Sequence, residues 1–164
     1  MKKQWKILSV CISIPLIVGA VAGVLTMGGM EEFQSLNKPA LAPPAWLFPV
    51  VWTILYVLMG ISSYLIYEKE QNKEEKKTNV SGGNKALTIY GYQLLVNFLW
   101  PVFFFLFQWY LFSYVWLILL WLLVAKMIWE FDKISHTAAL LNIPYLFWLS
   151  FAGYLNLTVW LLNR

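Results

Sequence analysis

The stretch KPALAPPAWLFPVVWTILY, Lys38 to Tyr56, leads from a charged residue into a long apolar run, and four of its nineteen residues are proline. Proline donates no backbone hydrogen bond and disfavours helix at the residue before it. We therefore expect a rigid, non-helical approach that becomes regular helix only near the last proline. The apolar run that follows is typical of a membrane-spanning helix.

The composition of the whole chain indicates an integral membrane protein. Of its 164 residues, 60% are hydrophobic and 12% are charged, and the mean hydropathy is +0.64. A soluble domain of this size averages about 25% charged residues and has too little interior to hide so much apolar surface. We predict an all-α membrane protein with one domain over residues 1–164, and the lipid bilayer as its surroundings.

Five apolar runs reach the length of about 20 residues that a helix needs to cross the hydrocarbon. We predict a five-transmembrane-helix bundle with spans at about residues 7–27, 46–67, 87–107, 110–129 and 138–162. The mixed-charge segment 68–86 is predicted to be a mobile surface loop. Only Gln108 and Trp109 separate the third and fourth spans, so these two helices must be antiparallel neighbours.

The N-terminus also resembles a signal peptide, because Lys2, Lys3 and Lys6 precede an apolar run. A first span is favoured, since residues 7–27 exceed the ~7–15 residues of a signal peptide's apolar region.

The basic residues are distributed unevenly among the loops. Ten Lys and Arg residues lie in the N-terminus and the second and fourth loops, against two elsewhere. This asymmetry predicts an N-terminus inside and a C-terminus outside, and we expect a bacterial cell membrane. The net charge of +4 does not indicate nucleic acid, because no lysine cluster alternates with aromatic residues on a soluble surface.

The predicted spans carry aromatic and neutral polar side chains at helical spacing, and no charged residue lies at the middle of a span. This pattern argues against a proton relay or a carboxylate cation site. The spaced residues are Trp52 and Tyr56 in the second span, Gln93, Asn97 and Trp100 in the third, and Tyr145, Trp148, Ala152 and Asn156 in the fifth. They either tie the helices together as core residues or line an apolar pocket, and spacing alone favours the first interpretation.

Two further motifs have a structural and a functional interpretation. Asp132 and His136 have the spacing of a metal or acid–base pair, but no second His or Cys completes a site. We therefore predict a solvated loop and no metal site. Gly19 and Gly23 form a GxxxG motif, for which close packing within the bundle is favoured over a homodimer face.

A specific motif extends over the second, third and fifth spans. It comprises Lys38-Pro39, Pro43-Pro44, Phe48, Val51-Trp52, Leu55-Tyr56, Met59-Gly60, Asn97 to Trp100, Phe103-Phe104, Pro144-Tyr145, Trp148, Phe151-Ala152, Leu155-Asn156, Trp160 and Leu162-Asn163. With these residues the chain resembles the tryptophan-rich sensory proteins, whose animal members are called the translocator protein or peripheral benzodiazepine receptor. It departs from the family pattern at two places. Leu41 stands where the family usually carries tryptophan, and Glu32-Phe33 stands where it usually carries a Trp-Tyr pair.

The resemblance implies a five-helix bundle with a ligand cavity that opens toward the first loop. The implied ligand is a porphyrin, either protoporphyrin IX or a haem-like tetrapyrrole, and no cofactor is required. The implied ligand-binding residues are Pro43, Pro44, Trp52, Asn97, Trp100, Trp148 and Ala152, and helical spacing adds Tyr56 and Tyr145. The prolines would form a rigid rim at the cavity mouth.

We therefore expect a membrane receptor or sensor for porphyrins and similar apolar planar ligands. One alternative is a transporter of porphyrin or another small apolar substrate. A second is light-dependent protoporphyrin breakdown, with Trp52 and Trp148 as the reacting residues. A third is a scaffold for another membrane protein. The sequence leaves open whether the protein is an enzyme, and a non-enzymatic role is favoured.

Overall fold

A computed structural model describes residues 2–75 and 82–164. The helices are α1 (Lys2–Ser35), α2 (Leu47–Glu75), α3 (Gly83–Pro101), α4 (Tyr110–Asp132), α5 (His136–Leu140) and α6 (Ile143–Leu162), with a π-helical turn (Val102–Leu106) after α3. Among the described residues, five stretches are long and apolar enough to cross a membrane: Gln4–Gly29, Leu47–Asn72, Gly83–Leu106, Tyr110–Asp132 and His136–Leu162. The predicted five-helix membrane bundle is confirmed.

Several helices extend beyond the predicted spans. The loop predicted at 68–86 is wrong for 68–75, which continues α2, and for 83–86, which begins α3, while 76–81 lies outside the described residues. Lys and Glu are good helix formers, so a helix need not stop where it leaves the hydrocarbon. The Glu70 carboxylate also accepts a hydrogen bond from the Gly83 backbone N–H at 3.2 Å, which satisfies a free donor at the start of α3.

The helices run alternately between two ends of the bundle. The end that carries the connection 36–46 is called the first-loop end here, and the opposite end the second-loop end. α4 packs against α3 and α6, and α2 packs against α1 and α3. Toward the second-loop end the core is dense, with Ile66, Val124, Met127 and Phe131 fully buried. Large apolar side chains on the outside, such as Ile17 and Phe147, are exposed, as expected for surfaces that contact lipid.

Glycine allows the close approach of α1 and α2. A Cβ atom at Gly60 would lie 2.5 Å from the Ile12 Cα and 2.8 Å from the Cys11 carbonyl oxygen, both of them backbone atoms. A Cβ atom at Gly19 would overlap the ring of Tyr56. Gly19 therefore serves packing within the chain, and this contact does not test the homodimer alternative.

The connection 36–46 consists of turns that approach α2. The Ala42 N–H donates to the Pro39 carbonyl oxygen at 2.9 Å, and the Leu47 N–H donates to the Pro44 carbonyl oxygen at 3.0 Å. α2 begins at Leu47, so Pro49 falls in the first helical turn, where a missing N–H breaks no helical hydrogen bond. The proline-rich approach is non-helical up to this point, as predicted.

Replacement of Gly60 by Ala is expected to destabilise the protein, because the new methyl group meets backbone that moves only if α1 and α2 separate. Overpacking of this kind costs about 1–3 kcal/mol of unfolding free energy. The matched control is Gly91→Ala on α3, where no atom of the described residues outside the local helical turn lies within 4 Å of the new Cβ. Thermal unfolding in detergent, followed by circular dichroism, should show a lower Tm for Gly60→Ala alone. Equal Tm values for the two variants would contradict the inferred helix contact.

Candidate ligand-binding cavity

A cavity of about 240 Å³ lies at the first-loop end of the bundle, between α1, α2, α6 and the end of α3. Most of its lining is apolar. α1 contributes Gly19, Ala22, Gly23, Phe33 and Gln34; the connection 36–46 contributes Lys38, Pro39, Ala42, Pro43 and Ala45; α2 contributes Phe48, Pro49, Trp52 and Tyr56; α3 and the π-helical turn contribute Trp100, Pro101, Phe104 and Phe105; α6 contributes Ala152, Leu155, Asn156 and Val159.

Two stacked aromatic pairs form part of the cavity wall. Trp52 stacks on Tyr56 with ring centroids 5.4 Å apart, and Trp100 stacks on Phe104 at 5.2 Å. The Phe33 ring meets Phe104 edge to face at 5.6 Å. Such a wall offers flat π surfaces and little hydrogen-bonding capacity, so it suits a planar, apolar ligand.

Small residues leave the space that the aromatic side chains surround. Gly23 lines the cavity, and apart from its own helical turn no atom of the described residues lies within 4 Å of the position a Cβ would take there. Ala22 and Ala152 line it as well, from α1 and α6 respectively. The small side chain of Ala152 therefore leaves room on the α6 side of the cavity.

The π-helical turn places aromatic side chains at the cavity. Pro101 lacks an N–H group, and beyond it the Phe107 N–H donates to the Val102 carbonyl oxygen at 3.0 Å, five residues back. The wider turn carries Phe104 and Phe105 to the lining. Single π-helical turns are rare in proteins and are frequently found at functional sites.

A buried hydrogen-bond network lies behind the wall and joins α2, α3 and α6. The Tyr56 hydroxyl donates to the Asn97 side-chain oxygen at 2.8 Å, and the Asn97 amide donates to the Tyr145 hydroxyl at 2.8 Å. That hydroxyl in turn donates to the Gln93 side-chain oxygen at 3.2 Å. Asn97 and Gln93 therefore tie the helices together, as the structural interpretation of their spacing proposed.

The nine residues predicted from the sequence to bind ligand divide into two groups. Pro43, Trp52, Tyr56, Trp100 and Ala152 line the cavity. The other four are not among its lining residues: Pro44, Asn97, Tyr145 and Trp148.

Each of these four has another position in the fold. Asn97 and Tyr145 belong to the buried network. Trp148 contacts the lining residue Phe48 edge to face at 5.9 Å, and Pro44 is exposed in the connection 36–46. Spacing on one helix identifies a shared face, whereas the depth of each side chain depends on the neighbouring helices.

Sequence reasoning missed most of the α1 contribution to the cavity. Phe33 and Gln34 line the cavity because α1 continues to Ser35, past the predicted end of the first span at residue 27. The GxxxG motif predicts that Gly23 packs within the bundle or forms a homodimer face, and neither interpretation places it at a cavity. The sequence does contain a signal for this part of the cavity: the small residues at 19, 22 and 23 lie close together on α1 and leave free space beside the helix.

The connection 36–46 is fastened to the end of α6 by Asn163. The Asn163 side-chain oxygen accepts a hydrogen bond from the Asn37 backbone N–H at 3.0 Å, and its amide donates to the Asn37 carbonyl oxygen at 2.9 Å. The same amide donates to the Val159 carbonyl oxygen at 2.8 Å. This latch holds the connection beside the cavity mouth.

The ionic groups of α4 lie at the second-loop end, away from the cavity. The buried Glu130 carboxylate pairs with Lys85 at 2.9 Å and with Lys133 at 3.0 Å, which joins the start of α3 to the end of α4. The His136 Nδ1 lies 2.6 Å from the Asp132 carboxylate, and both side chains are exposed. The predicted loop is wrong at these two residues, because Asp132 ends α4 and His136 begins α5. These groups are structural contacts between helix ends.

Comparison with known proteins identifies relatives over nearly the whole chain. The model of the TspO/MBR family matches residues 11–161. The tryptophan-rich protein TspO of Chlorobaculum tepidum is 36% identical over 164 residues, which covers 99% of each chain. The translocator protein of Bos taurus is 35% identical over 92% of this chain and 86% of its own. Protein CrtK of Rhodobacter capsulatus is 35% identical over 88% of this chain and 85% of its own.

Replacement of Asn97 by Leu should destabilise the fold, because it leaves the Tyr56 hydroxyl without its acceptor and the Tyr145 hydroxyl without its donor. The expected loss is about 1–2 kcal/mol of unfolding free energy. Asn84→Leu is the control, since Asn84 is exposed near the start of α3. Thermal unfolding in detergent should show a lower Tm than that of the parent for Asn97→Leu and an unchanged Tm for Asn84→Leu. A Tm equal to that of the parent would mean that the network contributes no stability.

Replacement of Asn163 by Ala should loosen the connection 36–46, because the Asn37 N–H loses its acceptor. Hydrogen exchange measured by mass spectrometry should be about tenfold faster at this amide, as expected when a bond worth about 1.4 kcal/mol is lost. Thr158→Ala is the control, since the Thr158 hydroxyl donates within α6, to the Tyr154 carbonyl oxygen. Unchanged exchange in Asn163→Ala would show that the latch does not hold the connection.

Proposed function

Because the chain belongs to the TspO/MBR family, we propose that this integral membrane protein is a receptor or sensor that binds porphyrins and similar apolar planar ligands between its helices. The observation that carries the proposal is the cavity at the first-loop end, with its stacked pairs Trp52–Tyr56 and Trp100–Phe104. A planar macrocycle can stack on such rings. Because its ring system is largely apolar, it loses few hydrogen bonds when it enters the cavity. A relative in Cereibacter sphaeroides is named a tryptophan-rich sensory protein.

The base of the cavity favours binding over passage through the bundle. Below Tyr56, the side chains of Asn97, Tyr145 and Gln93 are buried and hydrogen-bonded to one another. Farther toward the second-loop end, Ile66 and Val124 are fully buried in dense packing. A transported ligand would have to break this network, whereas a bound ligand leaves it intact.

Light-dependent porphyrin breakdown is a second candidate, which the position of Trp52 in the cavity wall favours. An indole at stacking distance can quench or react with an excited porphyrin without an acid, a base or a metal. Trp148 is not among the lining residues, so Trp52 is the expected reaction partner. Illumination with excess protoporphyrin IX separates catalysis from oxidation of the protein, since only catalysis forms more than one equivalent of product per protein.

Replacement of Ala152 by Phe should weaken porphyrin binding, because the larger side chain occupies part of the cavity. The measurement is quenching of tryptophan fluorescence by protoporphyrin IX, titrated in the dark with detergent-purified protein. We expect saturable one-site binding for the parent and at least about tenfold weaker binding for Ala152→Phe, which corresponds to about 1.4 kcal/mol.

The matched control is Ala20→Phe, because Ala20 is exposed on α1 and does not line the cavity. This variant should bind like the parent. Circular dichroism and Tm values confirm that both variants are folded. A folded Ala152→Phe protein with parental affinity would overturn the proposed site, and quenching that never saturates in any variant would indicate partition into the micelle.

A further inference from the structure

Resting on the proposed function, we propose that Lys38 at the cavity mouth is the residue that pairs with a carboxylate of the bound porphyrin and so determines the preference for a ligand that carries one. Among the cavity-lining residues that the structure describes, Lys38 is the only one with a formal charge. The remaining lining is almost wholly apolar. Charge and apolar surface therefore occupy different parts of one site.

The Tyr56 hydroxyl and the Asn156 side chain, which lie deeper in the lining, already have partners. The Tyr56 hydroxyl donates to Asn97. The Asn156 side-chain oxygen accepts from the Trp100 indole N–H at 3.3 Å, and its amide donates to the Tyr110 carbonyl oxygen at 2.9 Å. A ligand carboxylate placed at this depth would lose its hydration and find no positive charge, which is costly. The carboxylate must therefore lie at the mouth, where Lys38 is exposed.

The Lys38 ammonium group is held beside the apolar part of the site. Its Nζ atom lies 5.3 Å from the centroid of the Phe33 ring, and Phe33 also lines the cavity. This is the distance of a cation–π contact. A ligand whose ring system enters the cavity can therefore keep a carboxylate at the rim, within reach of the ammonium group.

The backbone on both sides of Lys38 is fixed. The preceding residue, Asn37, is held through both its N–H and its carbonyl group by Asn163. The following residue, Pro39, is buried, lines the cavity and accepts a hydrogen bond from the Ala42 N–H. A charged group on a fixed backbone loses less entropy when it pairs with a ligand, so the arrangement is preorganised for this contact.

Other charges near the mouth lie outside the cavity lining. The Arg164 guanidinium group lies 5.4 Å from the centroid of the Trp160 ring, next to the Asn163 latch. Glu32 precedes Phe33 on α1 and is exposed. Since neither lines the cavity, Lys38 is the charge that distinguishes a ligand with a carboxylate from one without.

The test compares protoporphyrin IX, which carries propionate carboxylates, with its uncharged dimethyl ester. Both are titrated in the dark against the parent, Lys38→Met, Lys38→Arg and Arg164→Met, with tryptophan quenching as the signal. Lys38→Met should bind the acid about fivefold more weakly, the effect of one partly solvated ion pair, and bind the ester like the parent. Lys38→Arg should retain the parental affinity for the acid, because it keeps the positive charge.

The control variant Arg164→Met removes a positive charge at the same end of the bundle and should leave both affinities unchanged. Equal weakening of acid and ester by Lys38→Met would mean that Lys38 only shapes the mouth, and no weakening of either would mean that it does not contact the ligand. Both results overturn the carboxylate proposal while the porphyrin site stands. If neither compound binds the parent saturably, the proposed function fails and this proposal fails with it.

Discussion

The hydrogen bonds from Tyr56 to Asn97 and from Asn97 to Tyr145 are the contacts on which the site depends most, because they join three helices at one level of the bundle. In hydrocarbon no water can replace a lost partner, so buried polar groups must find each other within the protein. Once Asn97 is paired on both sides, α2, α3 and α6 have a defined separation. The cavity toward the first-loop end can then stay open while α2, α3 and α6 keep their packing at the level of Asn97.

The cavity depends on three different local features of the backbone. Glycine and alanine on α1 and α6 leave the space, the π-helical turn Val102–Leu106 brings aromatic rings to its edge, and the connection 36–46 lies beside its mouth. The prolines restrict the conformations of this connection in the unfolded chain, so that less entropy is lost when it folds. Asn163 then binds the connection to the end of α6. A rigid mouth lowers the entropy cost of ligand binding.

Charge is separated along the bundle. At the second-loop end, Glu130 holds Lys85 and Lys133 and connects helix ends. At the first-loop end, the lysine at the cavity mouth is next to aromatic side chains. No charged residue lies at the middle of a span. The cavity wall offers aromatic rings and apolar surface, with one lysine among its described lining residues.

The sequence by itself determined the membrane class and the number of spans, because hydropathy, length and proline placement are local properties. It also placed Trp52, Trp100 and Ala152 correctly on inward faces. Only the tertiary structure decided which polar residues line the cavity and which lie behind it. Asn97 and Tyr145 share helix faces with lining residues, but their hydrogen bonds run across helices distant in sequence. The depth of a side chain depends on how neighbouring helices approach, and that approach is set by contacts such as Gly60 with Ile12, which no spacing on one helix reveals.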